Sequence, residues 1–148
     1  EYDGTIILSG SMSSGSDVLA ARALGADLAY MGTRFIATEE ANAVPAYKEM
    51  IVDSACAAIA YTSLLTGVHG SYLKGCIRNA GLDPDALPDG DRAAMDFSKS
   101  DVTEAKAWRD IWGAGQGVGN IDDIPPAREL VLRLEQEYEQ ARRDLGAA

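Results

Sequence analysis

The sequence predicts an α/β chain built on parallel strands and followed by a mostly helical C-terminal part. Three observations carry this. Two short apolar runs, Thr5–Leu8 and Leu28–Met31, flank a segment of helix length, the pattern of a βαβ unit with a right-handed crossover. Each run stops at small residues, Gly10–Gly15 after the first and Gly32–Thr33 after the second. From Ala127 to Leu145 the apolar positions recur at helical spacing.

Thr5–Leu8 is continuously apolar, as a strand covered on both faces would be. Ser16 or Asp17 is placed to cap the following helix. Its apolar positions are Val18, Leu19, Ala21 and Leu24, and Gly25 is its natural C′ residue. Parallel neighbours end on the same side of a sheet, so Ser9-Gly10-Ser11 and Gly32-Thr33 come to lie side by side. Glycine lets a ligand approach the backbone, and N–H groups beside a helix N-terminus attract an anion. Phosphate is the usual occupant of such turns in barrels of alternating strand and helix. One such turn is most simply an ordinary tight connection; two at adjacent strand ends favour phosphate.

Further along, Thr38 with Glu39 and Glu40 reads as a helix start. Pro45 opens the main helix, which runs to about Ser54 with Tyr47, Met50 and Ile51 inward. Ala57–Leu65 fits strand or helix, its Tyr61-Thr62-Ser63 centre tilting towards an extended stretch. Gly67–Gly75 reads as a shaped loop, and Ser71–Asn79 as including a helical turn that ends at Gly81. Leu82–Lys99 is a polar loop whose aspartates lack the EF-hand spacing. Glu104–Trp112 reads as helical. Gly113–Gly119 (GAGQGVG) fails the dinucleotide fingerprint, because a helix precedes it and none follows. The final helix, Ala127–Leu145, has Leu130, Val131, Leu134, Tyr138, Ala141 and Leu145 as its apolar stripe.

With 13 basic and 23 acidic residues the net charge is −10, which argues against nucleic acid or an anionic membrane as partner. No apolar run approaches the roughly 20 residues that span a bilayer. Cys56 and Cys76 are the only cysteines and read as thiols of a reducing, cytoplasmic setting. His69, the sole histidine, is assigned a structural role, and no catalytic residue and no metal site are assigned. At 148 residues the chain is too short for a whole (β/α)8 barrel, which takes about 250. It is therefore read as part of one barrel domain, with residues 1–54 the last two strand–helix units and 55–148 the C-terminal loops and helices.

LSGSMSSGSDVLAARALGADLAYMGTRFIATEEANA, residues 8–43, resembles the C-terminal part of flavin-dependent nitronate monooxygenases, formerly called 2-nitropropane dioxygenases. The resemblance continues through Trp112-Gly113-Ala114-Gly115-Gln116-Gly117 to the final helix, and Gly-Thr-Arg-Phe-Ile-Ala-Thr-Glu-Glu at 32–40 is its specific part. It implies a C-terminal fragment of a (β/α)8 TIM barrel that oxidises alkyl nitronates with O2. It implies FMN as cofactor, with Ser9, Gly10, Ser11, Gly32 and Thr33 around its phosphate and Gln116 offering an amide from the glycine loop. Ser11 stands where many members have glycine. The family's proton-abstracting histidine belongs to an upstream strand, and His69 does not match it. NAD(P)H:quinone reductases and FMN-dependent enoyl reductases share this phosphate end, and inosine monophosphate dehydrogenase-like barrels are more distant rivals.

Overall fold

In the computed structural model, which describes residues 3–65, 67–87 and 110–146, β1 (Ile7–Ser9) and β2 (Leu28–Tyr30) pair in parallel. Ile7 lies opposite Leu28 and Ser9 opposite Tyr30. Between them runs α1 (Gly15–Ala23), whose N-cap is Ser14 rather than Ser16 or Asp17. Asp17 is instead the third helical residue of a capping box. Its carboxylate accepts the Ser13 and Ser14 N–H groups at 2.9 and 2.8 Å. Burial works to raise the pKa of Asp17, but these bonds outweigh it and hold the carboxyl below the usual aspartate range. At the other end Gly25, at φ 91°, closes a Schellman turn in which the Ala26 N–H reaches the Ala21 carbonyl at 3.1 Å.

Two helices follow, α2 (Thr33–Ile36) and α3 (Pro45–Val52). Pro45 does open α3, and Ile51 is fully buried. Thr38 starts no helix. Its hydroxyl donates to the Phe35 carbonyl at 2.8 Å, and the Lys48 Nζ donates to the Thr38 and Glu39 carbonyls at 2.6 and 3.0 Å. The segment after α2 is thus held by its carbonyls rather than by helix formation.

The ambiguous stretch resolves as a 3-10 turn at Cys56–Ala58 followed by β3 (Ile59–Thr62). The expectation of a loop throughout 67–75 is corrected: β4 (Gly70–Leu73) pairs antiparallel with β3, Ile59 opposite Leu73. Gly70 pairs with Thr62, and the Tyr72 ring fills the space of its missing side chain; an added Cβ would meet Tyr72 Oη at 2.9 Å. Next come α4 (Lys74–Asn79) and Gly81 at φ 84°. Residues 112–114 line the other edge of β4. The Leu73 N–H reaches the Trp112 carbonyl at 3.0 Å, and the Ala114 N–H reaches the Ser71 carbonyl at 3.1 Å. The expected helix at Glu104–Trp112 and the loop at Leu82–Lys99 lie largely outside the described residues.

Ile51, Leu73, Cys76, Ile77 and Val118 form the centre of the core, in the half of the chain after β2. The face of β1 and β2 that carries Ile7, Leu28 and Tyr30 is open, these residues being 56, 55 and 64% exposed. The last helix, α5 (Ala127–Gly146), packs along α1. Of its expected stripe only Leu130 is fully buried, whereas Val131 and Leu145 are exposed, because α1 covers just one side of α5.

Asp123 ties these parts together. It accepts Arg34 Nη2 and Arg133 Nη2, each at 2.6 Å, and Arg34 also reaches the Asp123 carbonyl at 3.0 Å. The bond from Arg133, with that from the buried Arg34, holds the Asp123 carboxyl below its usual range. A carboxyl whose pKa is lower folded than unfolded binds fewer protons in the folded state, so its stabilisation is present at neutral pH and fades as the pH falls through and below the ordinary aspartate range. Urea titrations of the wild type should show this acid-side loss. Asp123→Asn should be less stable at neutral pH and lose less stability on acidification; equal acid sensitivity would show that the tether does not titrate as described.

Candidate functional site

At the C-terminal ends of β1 and β2 lies a cleft of about 200 Å³. The five residues expected around a phosphate, Ser9, Gly10, Ser11, Gly32 and Thr33, all line it. Gln116 is exposed and does not line it, although its neighbours Gly115 and Gly117 do. Met12 and Tyr30 complete the wall.

The first turn bends through two successive left-handed residues, Gly10 at φ 109° and Ser11 at φ 54°. Ser11 thus adopts a glycine-like conformation. Ser9 Oγ donates to the Tyr30 carbonyl at 3.3 Å and ties the two strand ends together. The N–H groups of Gly10, Ser11, Gly32 and Thr33 donate to no atom among the described residues. Backbone donors in that state are sites for an acceptor.

The N-terminus of α1, by contrast, is already occupied by the protein's own oxygens. Ser13 and Ser14 donate to Asp17, and the Gly15 N–H donates to Glu137 Oε2 of α5 at 2.7 Å. The donors open to a ligand in the cleft are therefore those of the turns, not those of the helix end that the sequence suggested.

Gly32 has φ −103° and ψ −69°, and a Cβ added there meets nothing within 4 Å. The space beside it is open. Thr33 Oγ1 accepts the Gly115 N–H at 2.8 Å, which leaves the hydroxyl proton for a second partner. Gly117 lies against Ser11: an added Cβ would be 2.8 Å from the Ser11 carbonyl carbon and oxygen. The glycine segment is held from behind by the Tyr47 hydroxyl, which donates to the Gly113 carbonyl. The Tyr47 ring stacks on Trp112 at 5.1 Å between centroids and 18° between planes. Burial raises the pKa of this phenol, so it stays protonated as a donor.

The sequence signalled Gly115 and Gly117 only as members of a glycine run. Their specific role needs the third dimension. Among the described residues no general base lines the cleft, and Tyr30 is its only titratable wall residue. His69 stacks on Tyr61 at 5.0 Å on the β3–β4 hairpin, away from the cleft wall. Cys76 Sγ is buried and accepts the Trp112 N–H at 3.1 Å; burial raises its thiol pKa. Among the described residues no group of His, Cys, Asp and Glu could hold a metal ion, and no helix is long and apolar enough to cross a membrane. The cleft is suited to gripping a small anion with backbone N–H groups and a hydroxyl.

The family model for nitronate monooxygenase matches residues 5–137. A nitronate monooxygenase of Paraburkholderia phytofirmans is 30% identical over 142 residues, covering 92% of this chain. The chain spans 38% of that relative's length. Nitroalkane oxidase from Streptomyces ansochromogenes superposes with a TM-score of 0.75 at 28% identity, over 97% of this chain and 42% of that one. FabK from Thermotoga maritima superposes with a TM-score of 0.74 at 25% identity, over 99% of this chain and 48% of that one. The two parallel strand–helix units are accordingly part of a (β/α)8 barrel, with the helical C-terminal part built onto them. Both glycine turns and the loop that backs them fall inside the matched region, and the chain belongs to the nitronate monooxygenase family.

Proposed function

We propose that the protein is an FMN-dependent oxidoreductase of the nitronate monooxygenase type, acting on alkyl nitronates with O2, and that the cleft holds the phosphate of FMN. The observation that carries this is the convergence of two glycine turns at adjacent parallel strand ends, with four N–H groups unpartnered among the described residues. Gly32 leaves open the space a side chain would fill, which supports this reading. Held there, FMN would supply the redox chemistry of nitronate oxidation.

The chain's own residues bind and orient. Gly10, Ser11, Gly32 and Thr33 offer backbone N–H groups, and Thr33 adds its hydroxyl. Gly115 and Gly117 back the two turns. Gln116, exposed between them, is the residue of that loop with an amide to offer cofactor or substrate. Residues 1–54 act as the strand–helix units of a single barrel domain and 55–148 as its C-terminal loops and helices.

The absorbance spectrum of the purified full-length protein tests this reading. Flavin bands, release of FMN on denaturation and nitronate-dependent oxygen uptake are expected; a protein that neither carries nor takes up FMN would overturn it. Thr33→Val keeps the branched shape but loses the hydroxyl and leaves the Gly115 N–H unpaired. It should weaken FMN binding by about 1.5–3 kcal/mol, roughly ten- to a hundred-fold, while Thr33→Ser retains most of the affinity. Fluorescence titration of the apoprotein measures both.

A further inference from the structure

We propose that Gly117 is a positioning residue for the phosphate turn. Its missing side chain lets the 115–117 segment lock Ser11 in the left-handed conformation that presents the turn's N–H groups. This rests on the reading of the cleft as an FMN phosphate site and adds to it the element that fixes the site's geometry.

Ser11 at φ 54° is in a conformation disfavoured for a residue with a Cβ, and such conformations persist only where the surroundings impose them. The imposing neighbour is Gly117, packed so closely that a Cβ would stand 2.8 Å from the Ser11 carbonyl carbon and oxygen and 3.2 Å from its Cα. Holding that carbonyl fixes the plane of the following peptide and therefore the direction of the Met12 N–H on its opposite edge. Two residues earlier, the Gly115 N–H engages Thr33 Oγ1 at 2.8 Å. A three-residue stretch thus touches both turns of the cleft.

The stretch is itself anchored well enough to impose geometry. On one side the Ala114 N–H bonds the Ser71 carbonyl at 3.1 Å, and the Tyr47 hydroxyl bonds Gly113. On the other, Val118 is fully buried and its N–H reaches the Gly115 carbonyl at 3.1 Å. The core of the C-terminal part is coupled to the shape of the phosphate turn through the backbone of the 113–118 segment.

The test compares FMN with riboflavin, which lacks the phosphate, on the full-length apoprotein. The wild type should bind FMN more tightly than riboflavin. Gly117→Ala should displace Ser11 and weaken FMN by about ten-fold or more while leaving riboflavin affinity unchanged. Gly115→Pro is the second variant, and it decides if Gly117→Ala does not fold. Gly115 sits at φ −81°, within reach of proline, so the change removes the N–H to Thr33 without left-handed strain. It too should weaken FMN selectively. Equal losses for both ligands, or no loss for either, would overturn the positioning role. A wild type that does not prefer FMN to riboflavin would instead remove the phosphate reading beneath it.

Discussion

Gly32→Val in the full-length protein is expected to give a folded but colourless enzyme. The backbone at Gly32, φ −103° and ψ −69°, is negative in φ and open to residues with a side chain. A Cβ there meets no protein atom within 4 Å, so the fold does not resist the change. The isopropyl group must therefore project into the open space beside the cleft, whose volume is about 200 Å³. A phosphate and a valine side chain cannot share that space. The loss should exceed a hundred-fold in FMN affinity, about 3 kcal/mol or more. The flavin-to-protein absorbance ratio, read beside an unchanged far-ultraviolet circular dichroism spectrum, gives the answer. A fully yellow Gly32→Val protein would mean that the phosphate lies elsewhere.

The residues of the two turns were legible in the sequence because turn chemistry is local. A glycine after a short apolar run marks a strand end, and parallel pairing brings two such ends together whatever the rest of the chain does. What could not be read was anything that depends on residues distant in sequence. One local feature was misread as well: the cap expected at Ser16 or Asp17 lies at Ser14, because Asp17 stands three residues on and completes the capping box.

Glu137 fills the α1 N-terminus from 122 residues away, and no local pattern announces it. It leaves the N–H groups of the two turns, not the helix end, open to a ligand. The glycine run at 113–119 was visible, but not that Gly115 addresses Thr33 and Gly117 addresses Ser11. Arg34 is the clearest instance of a motif residue with another task. It belongs to the specific Gly-Thr-Arg-Phe segment, yet its guanidinium turns to Asp123 and fastens the unit to the segment that precedes α5.

Gly15→Ala should destabilise the protein severely, against what helix propensity alone predicts. Gly15 is the first residue of α1, and alanine is the better helix former there by up to about 1 kcal/mol. Packing carries the opposite sign. An added Cβ would stand 2.1 Å from the Leu134 carbonyl oxygen, 2.4 Å from the Tyr138 nitrogen and 2.7 Å from Glu137 Cβ. Two of these are backbone atoms in the middle of α5, and neither can swing aside as a flexible side chain would. The helices must separate, which also strains the Gly15–Glu137 bond and the Arg22–Tyr138 bond, 2.7 and 3.0 Å long. Overpacking typically costs about 1–3 kcal/mol, and a clash with immovable backbone belongs at or beyond the top of that range. The net effect should be about 2 kcal/mol or more of lost stability. Hydrogen exchange should speed up along α5 before the rest of the chain. A Gly15→Ala protein that melted at or above the wild-type temperature would mean that α1 and α5 do not cross at Gly15.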